Sequence, residues 1–127
     1  MLSQRDRVRL DHMLEHAREA ITLTRGKSRA DLDSDRVLSL ALVRLLEIVG
    51  EAAGRVSEEA YARYPEIPWP EIIGLRNRLV HGYDAVDYDI LWQIINDDLP
   101  ALVALLESAL SARVEFPPNS GYKEKTV

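Results

Sequence analysis

The fold class is decided by residues 34–55, which read SDRVLSLALVRLLEIVGEAAGR. Apolar side chains here cover most of the circumference of a helix, so the stretch predicts a central helix with packing partners on several sides. A polar stripe interrupts this surface, and it consists of Arg44, Glu47, Glu51 and Arg55. These side chains fall within about 80° of one another on an ideal helix. The polar stripe either lies in solvent, joined by ion pairs, or faces a cleft or a partner subunit.

Two further helices are predicted in the first half of the chain. Residues 3–24 repeat apolar side chains at helical spacing, and Ser3 and Asp6 stand at the spacing of a capping box. A short helix begins at Ser57 and ends at a proline-rich stretch, residues 65–70. That stretch is predicted to be an extended connector.

The second half of the chain predicts two more helices. One covers residues 70–81, because proline suits the first helical position and Gly82 suits a left-handed helix end. The other begins near Asp87 and is kinked or interrupted by Pro100. No strand pattern is visible, so residues 1–113 are predicted to form an all-α bundle of four to five helices.

Composition narrows the class of protein. The chain has 127 residues, 46% hydrophobic and 29% charged, which fits one soluble domain followed by a flexible tail at residues 114–127. The lack of cysteine excludes disulfides and cysteine nucleophiles and favours the cytoplasm. The longest apolar run has six residues, so no membrane span is expected. A net charge of −5 means that any nucleic-acid site must be local.

Two short motifs carry weak signals. His12, Glu15 and His16 spell the inverted zinc-protease motif, but the histidines lie away from the apolar face and no third ligand is visible. No metal is therefore expected. Gly50 and Gly54 are spaced for close approach by another helix. Because the central helix is apolar over a wider arc than this bundle can cover, we expect a dimer with these glycines in its contact.

One arginine is out of place in the helix predicted to end near His81. The helical wheel puts Arg76 near the centre of the apolar side, where a guanidinium is costly unless it is paired or binds an anion. Glu47 or Glu51 is the natural partner in a free protein, and a phosphate is the natural partner in a functional one. Asn77 and His81 border the same helix end.

A cation, an amide and an imidazole suit phosphodiester cleavage. Histidine transfers protons near neutral pH, and arginine stabilises charge on phosphoryl oxygens. The lack of a clustered carboxylate set argues against a two-metal nuclease, so the substrate would be RNA, whose 2′-hydroxyl supplies an internal nucleophile. On spacing alone, a structural role for the arginine and histidine remains open.

Residues 69–83, WPEIIGLRNRLVHGY, resemble the signature of the HEPN superfamily and specifically of its HepT-like toxins. The pattern of these toxins is R-x4-H-x-Y. Arg76, His81 and Tyr83 match it, and Asn77 occupies the polar position after the arginine.

The resemblance covers most of residues 3–112 and implies an antiparallel, HEPN-like bundle that dimerises, with two motifs facing each other across a composite cleft. It implies a metal-independent endoribonuclease without cofactor, the toxin of a type VII-like toxin–antitoxin pair. Arg76 would stabilise the transition state, His81 would act as general base or acid, and Asn77 would orient the scissile phosphate. The partner would be a minimal nucleotidyltransferase antitoxin of the MntA type, which transfers AMP to Tyr83.

Further residues are candidates for the lining of this cleft: Arg44, Glu47, Glu51 and Arg78. Arg76 and Arg78 from both subunits would make it locally positive. An alternative from another class is a non-catalytic helical dimer that binds a nucleotide or the nucleotidyltransferase partner. A third hypothesis is a bundle in which Arg76 has only a structural role and is paired with Glu47 or Glu51.

Overall fold

Helices make up about 78% of the chain that the computed structural model describes, which is residues 2–83 and 85–111. In chain order the elements are α1 (Gln4–Thr24), α2 (Arg29–Ser34), α3 (Arg36–Ala53), α4 (Glu58–Arg63), α5 (Trp69–Ile73), α6 (Leu75–Leu79), β1 (Val80–His81), β2 (Ala85–Val86), α7 (Tyr88–Gln93), a π-helical segment (Ile94–Asp98) and α8 (Leu99–Ser111). The all-α prediction is confirmed. The predicted tail, residues 114–127, lies outside the described residues.

The core forms around α3, which packs against α1, α2, α5 and α6. Leu42, Leu46 and Val49 of α3 are fully buried, as expected for a central helix. α1 also contacts α8 and contributes Leu10 and Met13 to the same core. No helix in residues 2–83 and 85–111 is long and apolar enough to cross a membrane.

Asp6 departs from its predicted role as half of a capping box. Ser3 does cap α1, because its Oγ accepts a hydrogen bond from the Asp6 backbone N–H at 3.0 Å. The buried Asp6 carboxylate instead accepts hydrogen bonds from the Ser57 N–H at 2.9 Å and from the Ser57 hydroxyl at 2.6 Å. This contact joins the start of α1 to the segment just after α3, so the two helices run antiparallel.

Replacing Asp6 by asparagine should lower the free energy of unfolding by about 1.5–3 kcal/mol at pH 7, the usual worth of hydrogen bonds to a charged group. Burial raises the pKa of Asp6, but the hydrogen bonds from Ser57 outweigh it and leave the pKa below its ordinary value. The stability from a depressed pKa is present above the unfolded value, about 3.9, and is lost as pH falls through the folded value.

Urea unfolding at pH 7 and at pH 3 measures this effect. The difference between wild type and Asp6→Asn should shrink at pH 3, while Asp11→Asn on the same helix should change little at either pH. An equal loss at both pH values would contradict the role given to the carboxylate.

The helix predicted over residues 70–81 is divided and shorter. Gly74 forms a turn between α5 and α6, and the helix ends at Leu79. Two-residue strands then pair antiparallel, with Val80 opposite Val86. The expectation of no strands was wrong here, because this pairing depends on a contact with the next segment of the chain. Gly82 does adopt the left-handed conformation, with φ of 75°, but within the hairpin turn.

Pro100 perturbs the last long helix, as predicted. Asp87 caps α7 by accepting a hydrogen bond from the Ile90 N–H at 3.0 Å. The helix then widens into the π-helical segment directly before Pro100, where the Leu99 N–H donates to the Ile94 carbonyl. The wider turn accommodates a residue that has no N–H to donate.

The close approach expected at Gly50 occurs within the chain. A Cβ atom at Gly50 would lie 3.0 Å from the Ile72 carbonyl oxygen, so this glycine lets α5 cross α3 closely. Gly50 therefore serves a contact within the chain, and its place in a subunit contact stays a prediction. Gly54 is exposed and caps the end of α3.

Candidate active site

α6 presents its polar side chains outward because Leu75 and Leu79 anchor it in the core. The Arg76 side chain is 60% exposed, so its predicted position at the centre of an apolar side was wrong. The reason is the turn at Gly74, which gives α5 and α6 separate buried faces. Asn77 is also exposed.

Arg76 is paired with Glu47, one of its two expected partners. The Arg76 Nε lies 3.3 Å from the Glu47 Oε2, and the Glu47 Oε1 accepts a longer hydrogen bond from Arg44 at 3.4 Å. Exposed pairs of this kind contribute about 0.2–1 kcal/mol. A phosphate can therefore displace Glu47 from Arg76 at little cost.

A groove of about 400 Å³ lies beside this pair, between α3 and the α5–α6 turn. We call it the Arg76 groove, and its lining residues are Glu47, Gly50, Glu51, Gly54, Arg55, Ile73, Arg76 and Asn77. The polar stripe of α3 was predicted either to form ion pairs or to face a cleft, and it does both. Arg44 and Glu47 form an ion pair. Glu47, Glu51 and Arg55 line the groove.

His81 and Tyr83 lie on the hairpin that follows α6. The Val80 N–H donates to the Arg76 carbonyl, so the backbone at Arg76 is tied to the residue before His81. Both His81 and Tyr83 are exposed, and Tyr83 is fully so. Among the described residues of this one chain, neither lines the Arg76 groove.

Arg78 faces another part of the molecule. Its Nη1 lies 3.6 Å from the Asp98 Oδ2 on the π-helical segment. It borders a second groove, of about 320 Å³, whose apolar floor includes Ile72, Ile94 and Leu102. The sequence analysis placed Arg78 beside Arg76 in one positive cleft. Within one chain the two side chains lie in different places.

The histidines of the HxxEH motif contact each other and not a cleft. The His16 Nδ1 lies 2.7 Å from the His12 carbonyl oxygen, and the two rings meet edge to face. No group of three or more His, Cys, Asp or Glu side chains that could hold a metal ion occurs in the described part of the chain.

An all-α bundle with an arginine, an amide and a histidine at the α6–β1 junction is the arrangement that the resemblance to the HEPN superfamily implies. The chain belongs to the ribonuclease HepT-like family, which matches residues 13–109. No solved structure matches the chain at a significant level.

Several relatives support this assignment. A protein of Methanocaldococcus jannaschii described as "Putative RNase" is 34% identical over 80% of this chain and 94% of its own length. One of Caldanaerobacter subterraneus, described in the same words, is 39% identical over 73% of this chain and 83% of its own. A "Probable ribonuclease HepT" of Thermococcus cleftensis is 37% identical over 74% of this chain and 89% of its own.

Proposed function

We propose that this protein is an endoribonuclease that cleaves RNA without a metal ion. The observation that carries the proposal is the exposed arginine of the R-x4-H motif, which lies in a groove and is held only by a weak surface pair with Glu47. Membership of a ribonuclease family supports the choice of RNA as substrate.

The chemistry would be an internal transfer followed by release. His81 takes the proton from the 2′-hydroxyl, whose oxygen attacks the adjacent phosphorus, and the bond to the 5′-oxygen breaks. Arg76 leaves Glu47 and stabilises the charge on the phosphoryl oxygens, and Asn77 donates a hydrogen bond to one of them. The 5′-oxygen takes up a proton from solvent as it leaves, His81 returns its proton to solvent, and the other product carries a 2′,3′-cyclic phosphate.

A dimer would complete this site. Val37 is 78% exposed and Leu40 is 55% exposed on one face of α3. Exposed apolar side chains on one helix face favour burial against a second copy of the chain. Two copies packed in this region would bring the His81 of one chain towards the Arg76 groove of the other.

Regulation by a partner would act through Tyr83. In this proposal the protein is the toxin of a type VII-like pair, and a minimal nucleotidyltransferase antitoxin of the MntA type adds AMP to the phenol. The full exposure of Tyr83 supports this, because a modifying enzyme must enclose the side chain in its own active site.

One observation favours a second candidate function. A complete catalytic site requires His81 in the Arg76 groove, but in a single chain His81 does not line it. A non-catalytic dimer would use the arginine and the amide to bind a nucleotide or the nucleotidyltransferase partner.

Incubation of the purified full chain with total RNA, with and without EDTA, distinguishes the two functions. We expect equal cleavage in both samples and products that end in a 2′,3′-cyclic phosphate. Loss of cleavage with EDTA would contradict metal independence, and products with a linear 3′-phosphate from the first step would contradict internal attack. No cleavage in either sample would favour the binding function.

A further inference from the structure

Two glutamates one turn apart on α3 differ sharply in their surroundings. Glu47 is held by Arg44 and Arg76. Glu51 lines the same groove, yet its side chain forms no hydrogen bond or ion pair with any residue that the structure describes. An exposed carboxylate that lines a groove and has no partner is available to a ligand that donates hydrogen bonds.

Arg55 is the second charged side chain of the groove without a partner. Glu51 and Arg55 have the spacing of a helical ion pair, but α3 ends at Ala53 and the two side chains do not meet. In residues 2–83 and 85–111, the Arg55 side chain has no hydrogen bond or ion pair either, and only its backbone N–H is paired, with the Ala52 carbonyl. The charges of the Glu51 and Arg55 side chains at the groove are therefore not neutralised by a partner.

The charges alternate in order along α3. The Arg76 guanidinium is paired with Glu47 on α3. Glu51 lies about 6 Å further along the axis of α3 than Glu47. Arg55 lies just beyond the end of α3. A carboxylate between two arginines repels a phosphate but attracts N–H donors. An RNA strand has the matching order, because a base and a ribose separate successive phosphates.

We propose that the Arg76 groove binds the nucleotide next to the cleaved phosphate and that Glu51 selects guanine there. Guanine has two neighbouring donors, N1–H and N2–H, on its Watson–Crick edge, and they match the two oxygens of one carboxylate. Arg55 binds the flanking phosphate. This inference rests on the proposed function, since Arg76 is taken to bind the phosphate that is cleaved.

The walls of the groove fit a splayed-out base. Ile73 is among the exposed large apolar side chains and lines the groove, so it offers a surface for the face of the ring. Gly54 lines it without a side chain, and the volume of about 400 Å³ is within the range of small-ligand sites.

The test measures binding to the full-length His81→Ala chain, so that cleavage does not interfere. The probes are two fluorescein-labelled RNA hexanucleotides, UUGUUU and UUAUUU, titrated by fluorescence anisotropy. We expect the guanine RNA to bind about tenfold more tightly, the usual size of one bidentate base contact. Glu51→Gln should bring this ratio to one or below, because an amide pairs with the N1 and N6 of adenine.

Matched variants separate recognition from general charge. Arg55→Ala should weaken both RNAs equally and reduce the salt dependence of binding, as expected for a phosphate contact. Glu59→Gln and Arg63→Ala are exposed changes on α4, outside the groove, and should leave both affinities unchanged.

Equal affinity for the two RNAs, no binding of either, or an unchanged ratio in Glu51→Gln would overturn the inference. A guanine preference without any cleavage by the wild type would overturn only the proposed function. If Glu51→Gln or Arg55→Ala instead changes the mass in solution and leaves the ratio unchanged, these two side chains hold the subunits together and do not bind RNA, and the inference fails.

Discussion

Replacing His81 by alanine should slow RNA cleavage by about 10² to 10⁴-fold, and replacing Arg76 by alanine should have an effect of similar size. In the proposed mechanism His81 accepts the proton of the 2′-hydroxyl, so the attacking oxygen would remain a poor nucleophile without it. Arg76 supplies the positive charge at the phosphoryl oxygens. The measurement is the initial rate of cleavage of a defined RNA at equal protein concentration.

The loss should be specific to catalysis, because both side chains are exposed and surface changes usually alter stability by less than about 0.5 kcal/mol. Glu47 keeps Arg44 as a partner when Arg76 is removed. Circular dichroism should be unchanged, and light scattering should report about twice the 14.4 kDa chain mass for each variant. His12→Ala and Arg63→Ala serve as matched controls. Cleavage at the wild-type rate by either active-site variant would contradict the assignment.

The helices that the sequence predicts well are those with local signals at their ends. Ser3, Ser57 and Asp87 each accept a hydrogen bond from a backbone N–H three residues later, as their types and positions indicate. The same kind of signal was missed at Ser28, whose capping box with Asp31 begins α2. The spacing of Ser28 and Asp31 could therefore have predicted the start of α2.

The region after Gly74 could not be predicted in this way, because contacts distant in the sequence determine it. The Asp87 N–H donates to the Leu79 carbonyl at 2.8 Å, and Val80 pairs with Val86, so the chain leaves the helix early to form a hairpin. Strands of two residues are too short to show alternation.

The pairing of Arg76 was predictable from chemistry, whereas the direction of Arg78 was not. A helical wheel drawn through Gly74 assumes one straight helix and gives Arg76 the wrong surroundings. Only packing against the π-helical segment places Arg78 beside Asp98. Glu51 was a sequence candidate for the cleft lining, but its lack of an ion pair was not predictable, since its spacing to Arg55 suggests a pair that the end of α3 prevents.

Tyr83→Phe should keep most of the cleavage activity but escape neutralisation by the nucleotidyltransferase partner. Tyr83 is fully exposed, directly after Gly82 in the hairpin turn, and forms no hydrogen bond with any described residue. The removal of one hydroxyl there should not affect the fold. The phenol oxygen is the group that would attack the α-phosphorus of ATP, forming a phosphodiester while pyrophosphate leaves and the proton passes to solvent.

Neutralisation by AMP has a direct physical basis in this arrangement. Tyr83 is two residues from His81, so a bulky adenylyl group on it would lie next to the proposed proton-transfer residue. Its phosphate carries a negative charge, which would bind Arg76 or repel the phosphates of RNA. Modified wild type should therefore lose nearly all cleavage, whereas the phenylalanine variant should stay within about twofold of its unmodified rate.

The experiment coexpresses each variant with the partner, or incubates the two proteins with ATP and Mg²⁺, and then measures mass and cleavage. Mass spectrometry should place one AMP on Tyr83 of the wild type and none on Tyr83→Phe. Tyr88→Phe is the matched control, because Tyr88 is half-buried under Arg29 and should leave modification at Tyr83 unchanged. AMP found only on another tyrosine, or full silencing of Tyr83→Phe, would refute this mechanism. Either result would leave the ribonuclease proposal intact, because the proposed cleavage by the unmodified chain depends on Arg76 and His81 and not on the phenol.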